Sequence, residues 1–282
     1  MNEKIIALLH GPDKSGLVAK VSNWIYERGG NIEHADQHID RAHKIFFQRL
    51  QWIPENCPEK EISEFKDFAT KTLGMKCDIS RQSVKKKIVL MTSQHLHCFC
   101  DIVTRQRLGE LNCDIACAIS NHETSKEFSE KFDIKFHYTP ITKDTKNSVE
   151  KEHLEIIKNS DADLIVMARY MQILSADFLK KCKVPIINIH HSFLPAFAGA
   201  KPYHQAYERG VKIIGATAHY ATADLDEGPI IAQNVTTISH RNSIEDLMRK
   251  GKDLEKTVLA LAVRLHLEKR ILSYKNRTVV FD

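Results

Sequence analysis

Apolar and polar positions fall into two regimes along the chain. In the first eighty residues, residues 4–10 form an apolar strand that runs into the turn Gly11-Pro12-Asp13-Lys14. Ser15 can cap a helix reaching to about residue 28, and Gly29-Gly30 stop it, because glycine takes the left-handed conformation at a helix end without a Cβ penalty. Residues 31–40 and 44–52 read as two strands around the turn Asp40-Arg41-Ala42-His43. Residues 59–73 put Ile62, Phe65, Phe68 and Ala69 on one helical face, and 76–80 make a last short strand. The order βαββαβ is the ferredoxin-like pattern.

From residue 81 the pattern changes. Residues 81–87 are polar and include the lysine triplet Lys85-Lys86-Lys87, which reads as a solvated linker edge. Strands are then expected at 88–92, 114–120, 135–138, 164–168 and 184–189, with helices at 98–108, 125–132, 147–159 and 176–179. Residues 164–168 are apolar throughout, as a parallel strand covered on both faces requires. Late strands at 214–220 and 229–235 precede a long helix over 243–267. The expected architecture is α/β. A ferredoxin-like domain spans 1–80, a linker 81–87, and a doubly wound, mostly parallel sheet 88–282.

The length of 282 residues fits this division, since domains average about 150 residues. With 43% hydrophobic and 27% charged residues the chain is neither collagen-like nor of low complexity. Its apolar runs are strand-length, far short of the roughly 18 residues of a spanning helix. Met1-Asn2-Glu3-Lys4 and the short run broken at Gly11-Pro12 do not make a signal peptide, so a cytoplasmic location is expected. The net charge of +5 suits an anionic small molecule. There is no concentrated basic stripe, so neither nucleic acid nor membrane is an expected partner. The seven cysteines are scattered and odd in number, as reduced thiols are.

The densest polar cluster, Asn188-Ile189-His190-His191-Ser192, stands at the carboxyl end of an apolar strand, where open α/β sheets bind ligands. Alternation puts Asn188 and His190 on one side of the strand. An amide donor beside an imidazole suits carbonyl chemistry: one stabilises an oxyanion, the other moves a proton. The alternative is a pair of strand-end residues satisfied by loop backbone. A second cluster runs from His219 to Gly228 and crowds Asp224, Asp226 and Glu227 into one loop. A carboxylate there could orient an imidazole or activate water, or the loop could be simply solvated. Spacing does not choose between Asp224 and Asp226.

Taken together, the stretch from Asn188-Ile189-His190-His191-Ser192-Phe193-Leu194-Pro195 to Phe197-Ala198-Gly199-Ala200 resembles the signature of folate-dependent formyltransferases, as does Asp224-Leu225-Asp226-Glu227-Gly228-Pro229-Ile230-Ile231. Ala168-Arg169-Tyr170-Met171-Gln172-Ile173-Leu174-Ser175 and Lys201-Pro202-Tyr203-His204-Gln205-Ala206-Tyr207 are similar to the hydrolytic branch of that family, the formyltetrahydrofolate deformylases. Gly11-Pro12-Asp13-Lys14-Ser15-Gly16-Leu17 and Gly29-Gly30-Asn31-Ile32 resemble an ACT domain, which that branch carries.

The resemblance implies hydrolysis of 10-formyltetrahydrofolate to tetrahydrofolate and formate, which adjusts one-carbon folate pools and supplies formate for purine synthesis. It carries the catalytic Asn, His and Asp onto Asn188, His190 and Asp226, which selects Asp226 over Asp224. It makes Tyr170, Met171, Gln172, Ile173 and Leu174 folate-binding, together with Asp224 and Gly228 of the second cluster. The ACT likeness implies a homo-oligomer, dimer or tetramer, with an amino-acid effector at Asp13, Gly16 and Asn31; pure assembly is the alternative. The rival functions are a formyltransferase with an amine acceptor and a silent amino-acid sensor.

Where phosphate-using transferase relatives carry a glycine-rich loop, this chain reads Ser93-Gln94-His95-Leu96-His97-Cys98-Phe99-Cys100, without glycine. Such a loop cannot easily nest a phosphate, which favours water as acceptor. His95, His97, Cys98 and Cys100 are possible metal ligands, but they lack a paired C-x₂-C and a second half. Neither metal nor cofactor is expected.

Overall fold

The computed structural model describes residues 3–55, 57–196 and 202–281. The signature stretch 197–200 lies outside them. The chain divides into two compact units, Met1–Lys85 with Glu268–Asp282, and Lys86–Leu267.

The first unit contains β1 (Ile5–Pro12), α1 (Leu17–Tyr26), β2 (Asn31–Asp40), β3 (Ile45–Ile53), α2 (Pro58–Asp67) and β4 (Lys76–Arg81). A π-turn, Phe68–Thr72, continues α2. The strands form an antiparallel sheet in the order β2-β3-β1-β4, as the ferredoxin-like pattern requires. Ile5, Leu9, Trp24, Ile25, Trp52 and Phe65 share a core in which sheet and helices meet. The expected Ser15 cap is not used. The helix starts from Gly16 at φ 81° with no side-chain cap bond, because the turn there needs a left-handed residue.

Residues 268–282 were expected to belong to the second domain, and the structure corrects this. They form a hairpin, β12 (Ile271–Tyr274) and β13 (Arg277–Val280), within the first unit. Leu272 and Phe281 cluster with Leu8 and Phe47 of the sheet, keeping that apolar surface from water. Arg49, buried on β3, donates from Nε to the Lys269 carbonyl at 2.9 Å and from Nη2 to the Glu268 carbonyl at 3.2 Å.

The second unit has a seven-stranded sheet in the order β11-β10-β9-β8-β5-β6-β7. It is built from β5 (Lys86–Thr92), α3 (His97–Arg107), β6 (Cys113–Ser120), α4 (Lys126–Lys131), β7 (Phe136–Tyr138), α5 (Lys146–Asn159), β8 (Leu164–Ala168), α6 (Ala176–Lys181) and β9 (Ile186–His190). It continues with α7 (Pro202–Arg209), which the periodicity does not predict, then β10 (Ile213–Tyr220), β11 (Ile230–Thr237) and α8 (Ile244–Leu267). β5 to β9 are parallel, while β10 and β11 run antiparallel at one edge. β5 begins at Lys86, so the second unit opens inside the expected linker. The chain winds outward from β5 through β6 and β7, then returns to β8 on β5's other side. The β5/β8 border is therefore the switch point of the sheet. Among the described residues no helix is long and apolar enough to cross a membrane.

Candidate active site

β9 and β10 place the two central side chains. Their register sets Asn188 opposite His219 and His190 opposite Thr217. Asn188 Nδ2 lies 3.2 Å from His219 Nε2, and His219 Nδ1 lies 3.1 Å from the Tyr220 carbonyl. These bonds assign the His219 proton to Nδ1. Nε2 then accepts from Asn188, which fixes the amide with its nitrogen toward His219 and leaves one N–H for a substrate. Burial pushes the His219 imidazole below its usual range, consistent with a neutral acceptor. His219 is the site residue that the sequence reading did not select; its place at the head of the second cluster was the available signal.

Asp226 sits in the loop between β10 and β11 at φ 58°, a left-handed conformation that Asp tolerates better than most residues. Its Oδ2 is 3.2 Å from His190 Nδ1, and its Oδ1 is 3.7 Å from His219 Nε2. The hydrogen bond from His190 holds the Asp226 carboxyl below the usual carboxylate range, against the opposing effect of burial. With Nδ1 engaged, His190 Nε2 is buried and has no hydrogen-bond partner among the described residues. That is the atom left over for chemistry.

These groups open onto a cavity of about 390 Å³. Tyr170, Met171, Gln172, Ile173 and Leu174 all line it, with Asn188, His190 and Asp226. Met171, Ile173 and Leu225 are 52, 59 and 58% exposed, and an apolar cluster left in water at a cavity mouth marks a binding surface. Ser93 Oγ accepts from the Met171 backbone N–H at 3.2 Å and donates to Asn121 Oδ1 at 2.5 Å, tying this wall to the loop after β5.

Asp224 and Gly228 do not line the cavity. Asp224 is exposed, and its carbonyl accepts from Thr222 Oγ1 at 3.1 Å, so its part is to shape the loop. At Gly228 a Cβ would fall 1.7 Å from the Tyr220 carbonyl oxygen. Glycine is there because two backbones touch, which brings the Asp226 loop down onto β10.

Of the possible ligands after β5, a His97 ring nitrogen and Cys98 Sγ come within 4.8 Å of each other and of a Glu255 oxygen. The set suits a cation poorly. Burial raises the Cys98 thiol far above its usual range, and Arg169 Nε already lies 3.4 Å from Glu255 Oε2. All seven cysteines are free thiols.

In the first unit Gly16 and Asp13 follow the end of β1, but Asn31 opens β2 at the end of the sheet where β1 starts, with β3 between the two strands. β1 is eight residues long, so about 25 Å separates them. One copy of the unit does not bring the three together, because the α1 crossover carries the chain back to the end of the sheet where β1 began.

The formyl transferase family model matches residues 86–263, the second unit almost end to end, so fold and site define an enzyme of the formyl transferase class. Formyltetrahydrofolate deformylase of Synechocystis sp. is 50% identical over 276 residues, covering 97% of each chain. The Bacillus subtilis protein of the same name is 44% identical and covers 98% of this chain and 93% of its own. The crystal structure of a formyltetrahydrofolate deformylase from Pseudomonas syringae matches with a TM-score of 0.95 at 42% identity, covering 100% of this chain and 95% of that one. Glycinamide ribonucleotide transformylase 1 from Symbiobacterium toebii reaches 0.66 at 28% identity and covers 70% of this chain and 95% of its own. The chain belongs to the formyltetrahydrofolate deformylase family.

Proposed function

We propose that this chain hydrolyses 10-formyltetrahydrofolate to tetrahydrofolate and formate, using Asn188, His190 and Asp226. Water adds to the formyl carbon as one of its protons passes to His190 Nε2. The new oxyanion accepts from the free Asn188 N–H and from His190, as in other oxyanion holes. Asp226 holds the imidazole by Nδ1, supports its positive charge and helps position the water. When the intermediate collapses, the bond from carbon to N10 breaks, a proton passes to N10 through His190, and formate leaves. The flat pterin lies along the 170–174 wall, where aliphatic side chains and free loop backbone suit a ring with hydrogen-bonding edges.

The observation that carries this reading is His190 Nε2, buried and unpartnered among the described residues, on the imidazole whose Nδ1 faces Asp226. The experiment is formate release from 10-formyltetrahydrofolate with no amine acceptor present, before and after dialysis against a strong chelator. Release in both states supports a metal-independent hydrolase. No release without an amine would point to a transferase, and loss restored by zinc would place a metal in the site.

The first unit acts as a regulatory and assembly module in a homo-oligomer, with an amino acid as effector. An effector that uses both Gly16 and Asn31 needs two copies of the unit. The enzyme works in the cytoplasm and feeds formate to purine synthesis.

A further inference from the structure

In doubly wound sheets a ligand enters the crevice at the carboxyl ends of the strands where the winding reverses. Here that crevice lies beyond Thr92 of β5 and Ala168 of β8, which are register partners. Side chains from four segments meet beside it. Glu255, 1% exposed on α8, lies 2.7 Å from His97 Nε2 at the start of α3 and accepts from the Tyr203 hydroxyl of α7 at 2.7 Å. Arg169, the residue directly after β8, brings Nε to 3.4 Å from the same carboxylate and is itself only 8% exposed. Even helix α8 is cut to fit. A Cβ at Gly251 would fall 2.0 Å from the Tyr203 hydroxyl, so the ring fills a notch one turn before Glu255.

Arg169 is held there against its own backbone preference. It sits at φ 64°, a conformation that costs a long side chain about 1 kcal/mol or more. Its Nη1 is buried without a hydrogen-bond partner among the described residues. It lines the same cavity as Asn188, His190 and Asp226, with His191 between the two groups: that ring stacks on His190 at 5.2 Å and stands 6.0 Å from Tyr203.

We propose that Arg169, fixed by Glu255, determines acceptor specificity by filling the switch-point crevice so that only water reaches the formyl carbon. Size and buried charge both act. A second substrate would have to displace a buried cation–carboxylate cluster. Any amine is also larger than water and would be crowded by the guanidinium, whereas water is small and can accept from the spare N–H. Arg169 is thus a specificity residue outside the reacting set, and the inference rests on the hydrolytic reading above.

The test is the fate of the formyl group when hydroxylamine or methoxyamine is titrated into the reaction. Attack by such an amine forms a new C–N bond, breaks the bond to N10 and passes the amine proton to N10, giving tetrahydrofolate and an N-formyl product instead of formate. Wild type should yield formate and tetrahydrofolate one to one at every amine concentration. Arg169→Gly relaxes the backbone and empties the crevice; its ratio of N-formyl product to formate should rise with amine by about tenfold or more over wild type. Arg169→Lys keeps a charge but opens volume, and should fall between. A structural defect alone would lower all products together and leave this ratio unmoved. One-to-one stoichiometry in folded variants, or the loss of folding or turnover in both, overturns the proposal. Formate release by wild type is read in the same assay, and its absence would instead sink the hydrolytic reading.

Discussion

Asp226→Asn removes one charge and almost nothing else. Asn tolerates φ 58° as well as Asp does, so the loop keeps its path, which Ala would not guarantee. What is lost is the attraction between the carboxylate and the imidazolium that forms as His190 takes a proton. At the observed 3.2 Å and an effective dielectric constant near 20, that attraction is about 5 kcal/mol. The Asn carbonyl still accepts from Nδ1 and recovers about 1–2 kcal/mol. The remaining loss, about 3–4 kcal/mol, is a fall of roughly 10²–10³-fold in kcat, inside the range for a positioned acid–base group. His190 keeps the Asp226 carboxyl below its ordinary range, so it stays ionised across an assay from about pH 5 to 8. The Asp226 carboxyl itself therefore adds no titration to the wild-type profile in that window. The assay is formate release under saturating folate, with the thermal midpoint followed to show that the fold survives. Asp224→Asn, exposed and outside the cavity, is the internal control and should stay within a few-fold of wild type. An active Asp226→Asn, or a larger loss at Asp224, would refute the assignment.

Other outcomes follow from the same geometry. Gly228→Ala drives a methyl into the Tyr220 carbonyl and must lift the loop holding Asp226; since a shift of 1 Å can cost about 10²-fold, kcat should fall with little change in folate KM, and wild-type kinetics would contradict the backbone contact. Burial pushes the His153 and His191 imidazoles down to about 4, so between about pH 6.5 and 4 the unfolded chain binds protons that the folded chain refuses. Stability then falls with pH across that window, by on the order of 2–3 kcal/mol per residue, and a thermal midpoint that stays level from pH 6.5 to 4.5 would show the reasoning wrong. Gly16→Asp finds open space around its Cβ, so strain at φ 81° is its structural cost, and it should blunt any amino-acid effect on formate release while basal turnover persists. If no amino acid shifts the wild-type rate or midpoint, the first unit is an assembly module only.

Local periodicity records which side chains share a face, and here it was sufficient for much of the molecule. Alternation alone puts Asn188 and His190 side by side, the apolar run Leu164–Ala168 reads as a buried strand, and the order of strands and helices gives both sheets. Selecting Asp226 over Asp224 took the family likeness, because two carboxylates in one loop have the same local signal; the structure separates them by burial, with Asp226 turned toward His190 and Asp224 left in water. Other features depend on faces that meet across long stretches of chain. His219 becomes the anchor of the Asn188 amide only because β10 runs antiparallel to β9. The last hairpin joins the first unit because Leu272 and Phe281 find Leu8 and Phe47, a match no window along the chain contains. The ACT likeness puts Asn31 and Gly16 in one effector site, yet they lie at opposite ends of one sheet, because a crossover helix returns the chain to the end where β1 began. Glu255 reads in the sequence as one charge among many on a long helix. It matters because folding buries it against Arg169, His97 and Tyr203, where its charge must be met by neighbours instead of water.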